Sequence, residues 1–149
     1  MSIVVVGSMA FDTVKTPYGE VENALGGAAT YFSLAASYFC PVRVVAVIGN
    51  DFGDEHLELL RQHGVDTAGI ERVEGPSFRW GGEYSSNFNK RTTLFTELNV
   101  FEGFDPKLSP ELRQSPFVFL AVIKIYYVCF KYGPTAHSFA FRSRFLFLV

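Results

Sequence analysis

Two short apolar runs, Ser2–Gly7 (SIVVVG) and Val42–Ile48 (VRVVAVI), limit what this chain can fold into more than any other feature. Both are rich in β-branched residues and lack the polar alternation of a half-solvated strand, the pattern of parallel strands covered on both faces. Between them lies residues 22–40 (ENALGGAATYFSLAASYFC), where the glycine pair Gly26-Gly27 leads into a strongly helical run. Tyr31, Leu34, Ala35 and Tyr38 fall at i, i+3, i+4 and i+7, which predicts one buried helix face. Glycines without a Cβ let the backbone turn sharply and let a ligand lie against it. The helix behind them is expected to aim free N–H groups and the positive end of its dipole at that ligand. Pro41 then stops the helix.

Phe11-Asp12 follows the first strand, in the loop expected beyond its carboxyl end. Ligands collect at that edge of open α/β sheets, so Asp12 is placed to accept hydrogen bonds from substrate hydroxyls; a loop or capping aspartate is the plainer alternative. Gly7 does not open a dinucleotide fingerprint, because the run G-S-M-A-F-D lacks the second and third glycines that admit a pyrophosphate. Residues 13–24 read as two short strands around a Pro17-Tyr18-Gly19 turn, outside the main sheet. The Gly49-Asn50-Asp51-Phe52-Gly53 run is a tight turn, with Asn50 or Asp51 capping a helix over about 54–63. Asp54 and Glu55 suit that helix's dipole, Leu57 and Leu60 face inward, and Gly64 ends it. His56 and His63 read as surface or helix-end residues.

Residues 70–101 change style. Ile70–Val73, Phe78–Tyr84 and Arg91–Val100 alternate polar and apolar, as half-exposed strands of a small antiparallel sheet standing off the parallel one. Such a flap can close over a substrate and exclude water. An ordinary edge sheet, or one pairing with a second subunit, has the same pattern, and exposed aromatics such as Phe78 and Trp80 suit either. Residues 106–115 form a polar connector, and Pro116–Ala121 begins a third core strand.

Composition matters chiefly for the break near Ala121. Residues 1–121 hold all 15 acidic residues and 9 of the 13 basic ones, a net of −6, whereas residues 122–149 hold no acid, four bases and eight aromatics. The expectation is one domain over 1–121 and an aromatic tail over 122–149 foreign to it, such as a frame-shifted reading would produce. Lys124, Lys131, Arg142 and Arg144 interrupt that tail, so it offers no charge-free run of the roughly 18–20 residues a spanning helix needs. No basic block points to nucleic acid, and no basic segment precedes the first apolar run as in a signal peptide, so the expected location is the cytoplasm. Two cysteines, Cys40 and Cys129, and three scattered histidines suggest neither a disulfide framework nor a metal centre.

The ordered set V-V-V-G-S-x-x-x-D, G-G-A-A-T before a helix, V-A-V-I-G-N-D-x-x-G and H-G-V-D-T-x-G-I resembles the ribokinase/PfkB carbohydrate kinase family over residues 1–121. The resemblance implies an α/β, ribokinase-like fold: a mostly parallel sheet flanked by helices, with a small antiparallel β lid, here truncated to the N-terminal half. It implies ATP-dependent phosphoryl transfer to a hydroxyl of a sugar or nucleoside, with ATP and Mg bound by the second half of a full-length parent. Carried over by position, Asp12 would hold sugar hydroxyls, Gly26 and Gly27 would lie against the sugar, and the lid strands would form a dimer surface. Many sugar-specific members carry an asparagine where Tyr31 stands. A phenol offers one donor or a stacking ring where an amide offers a paired donor and acceptor, which moves the expected substrate toward a nucleoside. The family's catalytic aspartate and anion hole have no counterpart after Ala121, so no catalytic residue is assigned and the chain is expected to be inactive alone. The competing expectation is a non-catalytic binding or dimerisation module built from the lid sheet.

Overall fold

A computed structural model describes residues 2–121 and the backbone of Arg144–Leu148. In chain order the elements are β1 (Ile3–Gly7), β2 (Ala10–Thr16), β3 (Gly19–Gly26), α1 (Ala28–Ser37), β4 (Val42–Ile48), α2 (Asp54–Gln62), β5 (Val65–Arg72), β6 (Phe78–Tyr84), β7 (Arg91–Glu97), α3 (Pro110–Arg113), β8 (Phe117–Ala121) and β9 (Arg144–Leu148). They form two sheets. The larger has five strands in the order β5-β4-β1-β8-β9, and every neighbouring pair is parallel. The smaller has four, in the order β3-β2-β6-β7.

The apolar runs behave as parallel strands must. Successive side chains of a strand point to opposite faces, and both faces of the sheet are covered at β1, β4 and β8. Val5, Val44, Ala46, Ile48 and Phe119 pack on one side with Phe52, Leu57 and Leu60. Val4, Val6, Val45, Val118 and Leu120 pack on the other against Phe104, Leu108 and Leu112. Helix α2 follows its sequence signals closely. Leu57 and Leu60 are buried, Asp54 and Glu55 occupy its first turn, and Gly64 beyond its end takes φ 73°, a left-handed conformation that suits glycine.

Helix α1 does not bury the face that periodicity selects. Tyr31 and Tyr38 are 59% and 75% exposed and Ala35 is exposed as well, while Ala29, Thr30 and Ser33 are buried. The helix lies close to the sheet, so its small residues line the contact and the bulky phenols are turned out. Phe32 supplies the aromatic contact instead, stacking on Phe119 with ring centroids 3.5 Å apart.

The small sheet also differs from expectation. Its outer pairs, β2–β3 and β6–β7, are antiparallel, but β2 and β6 at its centre run parallel, so the lid is mixed rather than antiparallel. The strands around the Pro17-Tyr18-Gly19 turn are longer than 13–24, reaching from Ala10 to Gly26. Ile70–Arg72 belongs to the large sheet as the end of β5, paired with β4 through Ala46↔Ile70 and Ile48↔Arg72. An edge strand of a parallel sheet is half-exposed like a flap strand, which is why its pattern misleads. The strand beginning at Pro116 is the fourth of the large sheet in chain order rather than the third, because β5 precedes it, and β9 pairs with it from Phe117↔Arg144 to Ala121↔Leu148. The remainder of the 122–149 tail lies outside the described residues.

Candidate functional site

From β1 the chain builds outward through β4 and β5 on one side and through β8 and β9 on the other. The order therefore reverses between β1 and β8, and the crevice beyond the carboxyl ends of strands at such a point is where open α/β sheets hold ligands. Gly7 ends β1 there because nothing larger fits: a Cβ on it would stand 2.1 Å from the Ala121 carbonyl oxygen. The buried Ser8-Met9 turn then lifts the chain out of the large sheet and into β2.

Asp12 lies inside β2 rather than in a loop, opposite Ala24 of β3 and Trp80 of β6. Its carboxyl group leans over Gly26, where a Cβ would meet Asp12 Cγ and Oδ2 at 2.4 Å. Gly26 thus makes room for the acid. Among the described residues no hydrogen bond or ion pair reaches the Asp12 carboxylate. Burial lifts its pKa above the usual carboxylate range, with no donor to offset it. The Asp12 carboxylate is thus half-buried with both oxygens uncommitted among the described residues.

Gly27 has φ 93°, and a Cβ on it would stand 2.4 Å from the Ser8 carbonyl oxygen, so it packs against the chain's own turn. Ser8 also engages the start of α1. The Ala28 amide donates to Ser8 Oγ at 3.3 Å and the Ala29 amide to the Ser8 carbonyl at 3.0 Å. The expectation of free amides at the head of this helix is corrected for those two positions. Tyr31 sits at the exposed rim with its hydroxyl donating to the Leu25 carbonyl at 2.7 Å. That donor is already in use. Of the four sequence-predicted residues, Asp12 and Gly26 touch, Gly27 adjoins them, and Tyr31 lies one helical turn further along.

Sequence reasoning missed the clamp that joins the two sheets. Asp51 does not cap α2, whose N-cap is Gly53 without a side-chain bond. Its Oδ1 accepts from the Ser77 amide at 2.7 Å and the Ser77 hydroxyl at 2.6 Å, and its Oδ2 accepts from Arg79 at 2.9 Å. Burial pushes the Asp51 carboxyl up, but the bonds from Ser77 and the Arg79 guanidinium outweigh it and hold the pKa below the usual value. Ser77 is fully buried and its Oγ in turn accepts from the Gly49 amide at 2.9 Å. Arg79 also donates to Asn23 of β3 and lies over the Phe11 ring, 5.4 Å from its centroid. Phe11 packs on Phe52 and His56 in turn. His56 is therefore part of an aromatic contact under the lid, not a plain surface residue. The tight G-N-D-F-G turn was legible, but its long-range partner was not.

A separate cleft of about 580 Å³ shares no residue with this site. Its charged lining, including Arg43, Asp66, Glu71 and Lys107, is of mixed sign, with Lys107 and Glu71 3.8 Å apart. Among the described residues no three His, Cys, Asp or Glu side chains come together to hold a metal. No helix among them is long and apolar enough to cross a membrane.

The pfkB family carbohydrate kinase model matches residues 1–100. This chain belongs to that family. Its fold is shared by ribokinase from Giardia lamblia, with a TM-score of 0.77 at 19% identity over 98% of this chain and 50% of that one. It is also shared by a ribokinase from Cryptococcus neoformans in complex with ADP, with a TM-score of 0.65 at 18% identity over 79% of this chain and 41% of that one. The Methanocaldococcus jannaschii nucleoside kinase, described as an archaeal member of the ribokinase family, gives a TM-score of 0.59 at 14% identity, over 80% of this chain and 44% of that one. The pfkB chain described here thus spans about half the length of these solved relatives. No match was found among curated proteins.

Proposed function

We propose that residues 1–121 form the substrate-binding half of a sugar or nucleoside kinase that transfers a phosphoryl group from ATP, the remaining catalytic groups lying outside them. The observation that carries this reading is the Asp12 carboxylate, half-buried, without a partner among the described residues and seated over Gly26. An ionised carboxylate accepts from two adjacent hydroxyls, and such charge-assisted bonds are worth about 1.5–3 kcal/mol each. Gly26 and Gly27 keep the floor of the site at backbone height, and Tyr31 borders it. Phosphoryl transfer further requires charge stabilisation around the γ-phosphate and a base for the attacking hydroxyl. No described residue is assigned either role.

Isothermal titration of the 149-residue chain with ribose, fructose, adenosine and uridine tests the proposal. Heat of binding that disappears in Asp12→Asn is the expected result. Absence of binding by every one of these ligands would overturn it. The lid also supports a second reading, as a dimerisation surface. All seven residues of the edge strand β7 are exposed, Leu94 and Phe95 at 49% and 37%. Sedimentation showing a concentration-dependent dimer, lost when Leu94 is replaced by Lys, is the outcome that reading requires.

A further inference from the structure

Trp80 stands beside Asp12. The cross-strand row Ala24–Asp12–Trp80–Thr96 runs across all four strands of the lid. Residues paired in one row project to the same face of a sheet, so the indole and the carboxylate share a face. Trp80 is half-buried, and its six-membered ring lies along the strand over Gly82, where a Cβ would meet Cη2 at 2.1 Å and Cζ2 at 2.6 Å. The missing side chain at Gly82 is what lets the indole lie against the backbone instead of standing upright. The Arg91 guanidinium lies over the indole, 5.2 Å from the ring centroid.

This row offers a ligand three polar groups, the Asp12 carboxylate, the Thr96 hydroxyl and the single N–H of the Trp80 indole; the rest of it is methyl and aromatic carbon. A fully hydroxylated hexose would leave several hydroxyls facing apolar surface, which costs free energy unless each finds a partner. A ligand hydroxylated at one end and flat and unsaturated at the other matches the row along its length. Nucleobases stack on aromatic rings and on guanidinium planes alike.

We propose that Trp80 is the stacking surface of the substrate site and that the substrate is a nucleoside, its ribose hydroxyls at Asp12 and its base against the indole. The inference rests on the substrate-binding role proposed above and narrows it to one substrate class. Trp80 therefore determines specificity, whereas Asp12 reads a feature that ribose and nucleosides share.

Trp80 is the only tryptophan in the chain, so its emission reports the contact directly. The 149-residue protein is titrated with adenosine, uridine, free adenine, ribose and fructose. Binding is followed by calorimetry and by fluorescence excited on the red edge of the indole band, and repeated for Trp80→Leu, Trp80→Phe and Asp12→Asn. The expected result is that adenosine or uridine quenches Trp80 at the concentrations where heat is released, while ribose binds more weakly and leaves the emission unmoved. Trp80→Leu should weaken nucleoside binding by about tenfold or more without changing ribose binding, and Trp80→Phe should restore most of it. Ribose or fructose binding as tightly as the nucleosides, or a Trp80→Leu variant that binds them all unchanged, would overturn the nucleoside assignment and leave the sugar site standing. Free adenine quenching equally in the wild type and in Asp12→Asn, with no added gain from the ribose, would overturn it as unspecific stacking. No binding by any ligand would remove the substrate site itself, and this inference with it.

Discussion

Asp12→Asn should weaken binding and strengthen the fold at the same time. The wild-type carboxylate is half-buried over Gly26 and has no partner among the described residues, and burial raises its pKa. Its charge is thus less favourable in the folded chain than in the unfolded one. Replacing it with a neutral amide of the same shape removes that penalty, and because the group is partly solvated the gain at pH 7 is modest. The sign with pH follows from linkage. An acid whose folded pKa lies above its unfolded value of about 3.9 makes the wild type relatively more stable as pH falls through the folded pKa. The advantage of Asp12→Asn should therefore be full at pH 7, shrink as the wild-type acid protonates, and be gone below pH ~3.9. Urea unfolding of both proteins at several pH values measures the difference through the midpoint. Ligand affinity should move the other way, by about tenfold to a hundredfold, the equivalent of one charge-assisted hydrogen bond. A variant less stable than wild type at pH 7, with its affinity intact, would refute the reasoning. It would mean that the carboxylate has a structural partner and is not waiting for a ligand.

Other perturbations probe the supports of the site. Asp51→Ala leaves the amide of the fully buried Ser77 without its acceptor and Arg79 without its ion pair, and should cost about 2–3 kcal/mol in urea unfolding. Because the folded pKa of Asp51 is lowered, the stability it contributes should be present above pH ~4 and be lost as pH falls through that lowered value. Wild type and Asp51→Asn should thus converge in strong acid. Gly26→Ala places a methyl where the Asp12 carboxyl lies and should reduce calorimetric ligand binding at least as much as Asp12→Asn does. Gly7→Ala sets a Cβ 2.1 Å from a backbone oxygen of the adjoining strand, which cannot swing aside as a side chain can; overpacking of about 1–3 kcal/mol is expected in thermal or urea unfolding.

What the sequence disclosed depended on how far apart the interacting residues stand. Strands β1 and β4 and helix α2 were legible because a buried β-branched run, a helical period and a terminal glycine are local signals. The position of β5 was not, since Ile70–Arg72 looks half-exposed whether it edges a parallel sheet or belongs to a flap. The buried face of α1 was missed for a related reason. Periodicity ranks side chains by hydrophobicity, but the space between this helix and its sheet is set by Ala29, Thr30 and Ser33, and Tyr31 and Tyr38 do not fit there. Asp12 and the glycine pair could be singled out individually. That Gly26 exists to clear the Asp12 carboxyl, and Gly27 to clear the Ser8 carbonyl, follows only from the pairing of β2 with β3 and the return of α1 over the turn.

Under the proposed function, the lid rather than the glycine pair would carry the information about substrate. The floor of the site is nearly all backbone: Gly26, Gly27 and the Ser8-Met9 turn leave few side chains to distinguish one ring from another. In the proposed site Asp12 would read hydroxyls, which sugars and nucleosides have in common. Discrimination then falls to the neighbours of Asp12 across the lid, where β6 pairs in parallel with β2 and sets Trp80 beside it. The lid is held in that register from its other face. Arg79, next to Trp80 in the strand and pointing the opposite way, is bonded to Asp51 and Asn23 and packed over Phe11. Loosening this clamp should shift the indole relative to Asp12 without touching either residue. Arg79→Met, which keeps much of the length and loses the charge, is therefore expected to weaken nucleoside binding severalfold and ribose binding little. Equal losses for both ligands would show that the clamp supports the whole site and not the lid's register.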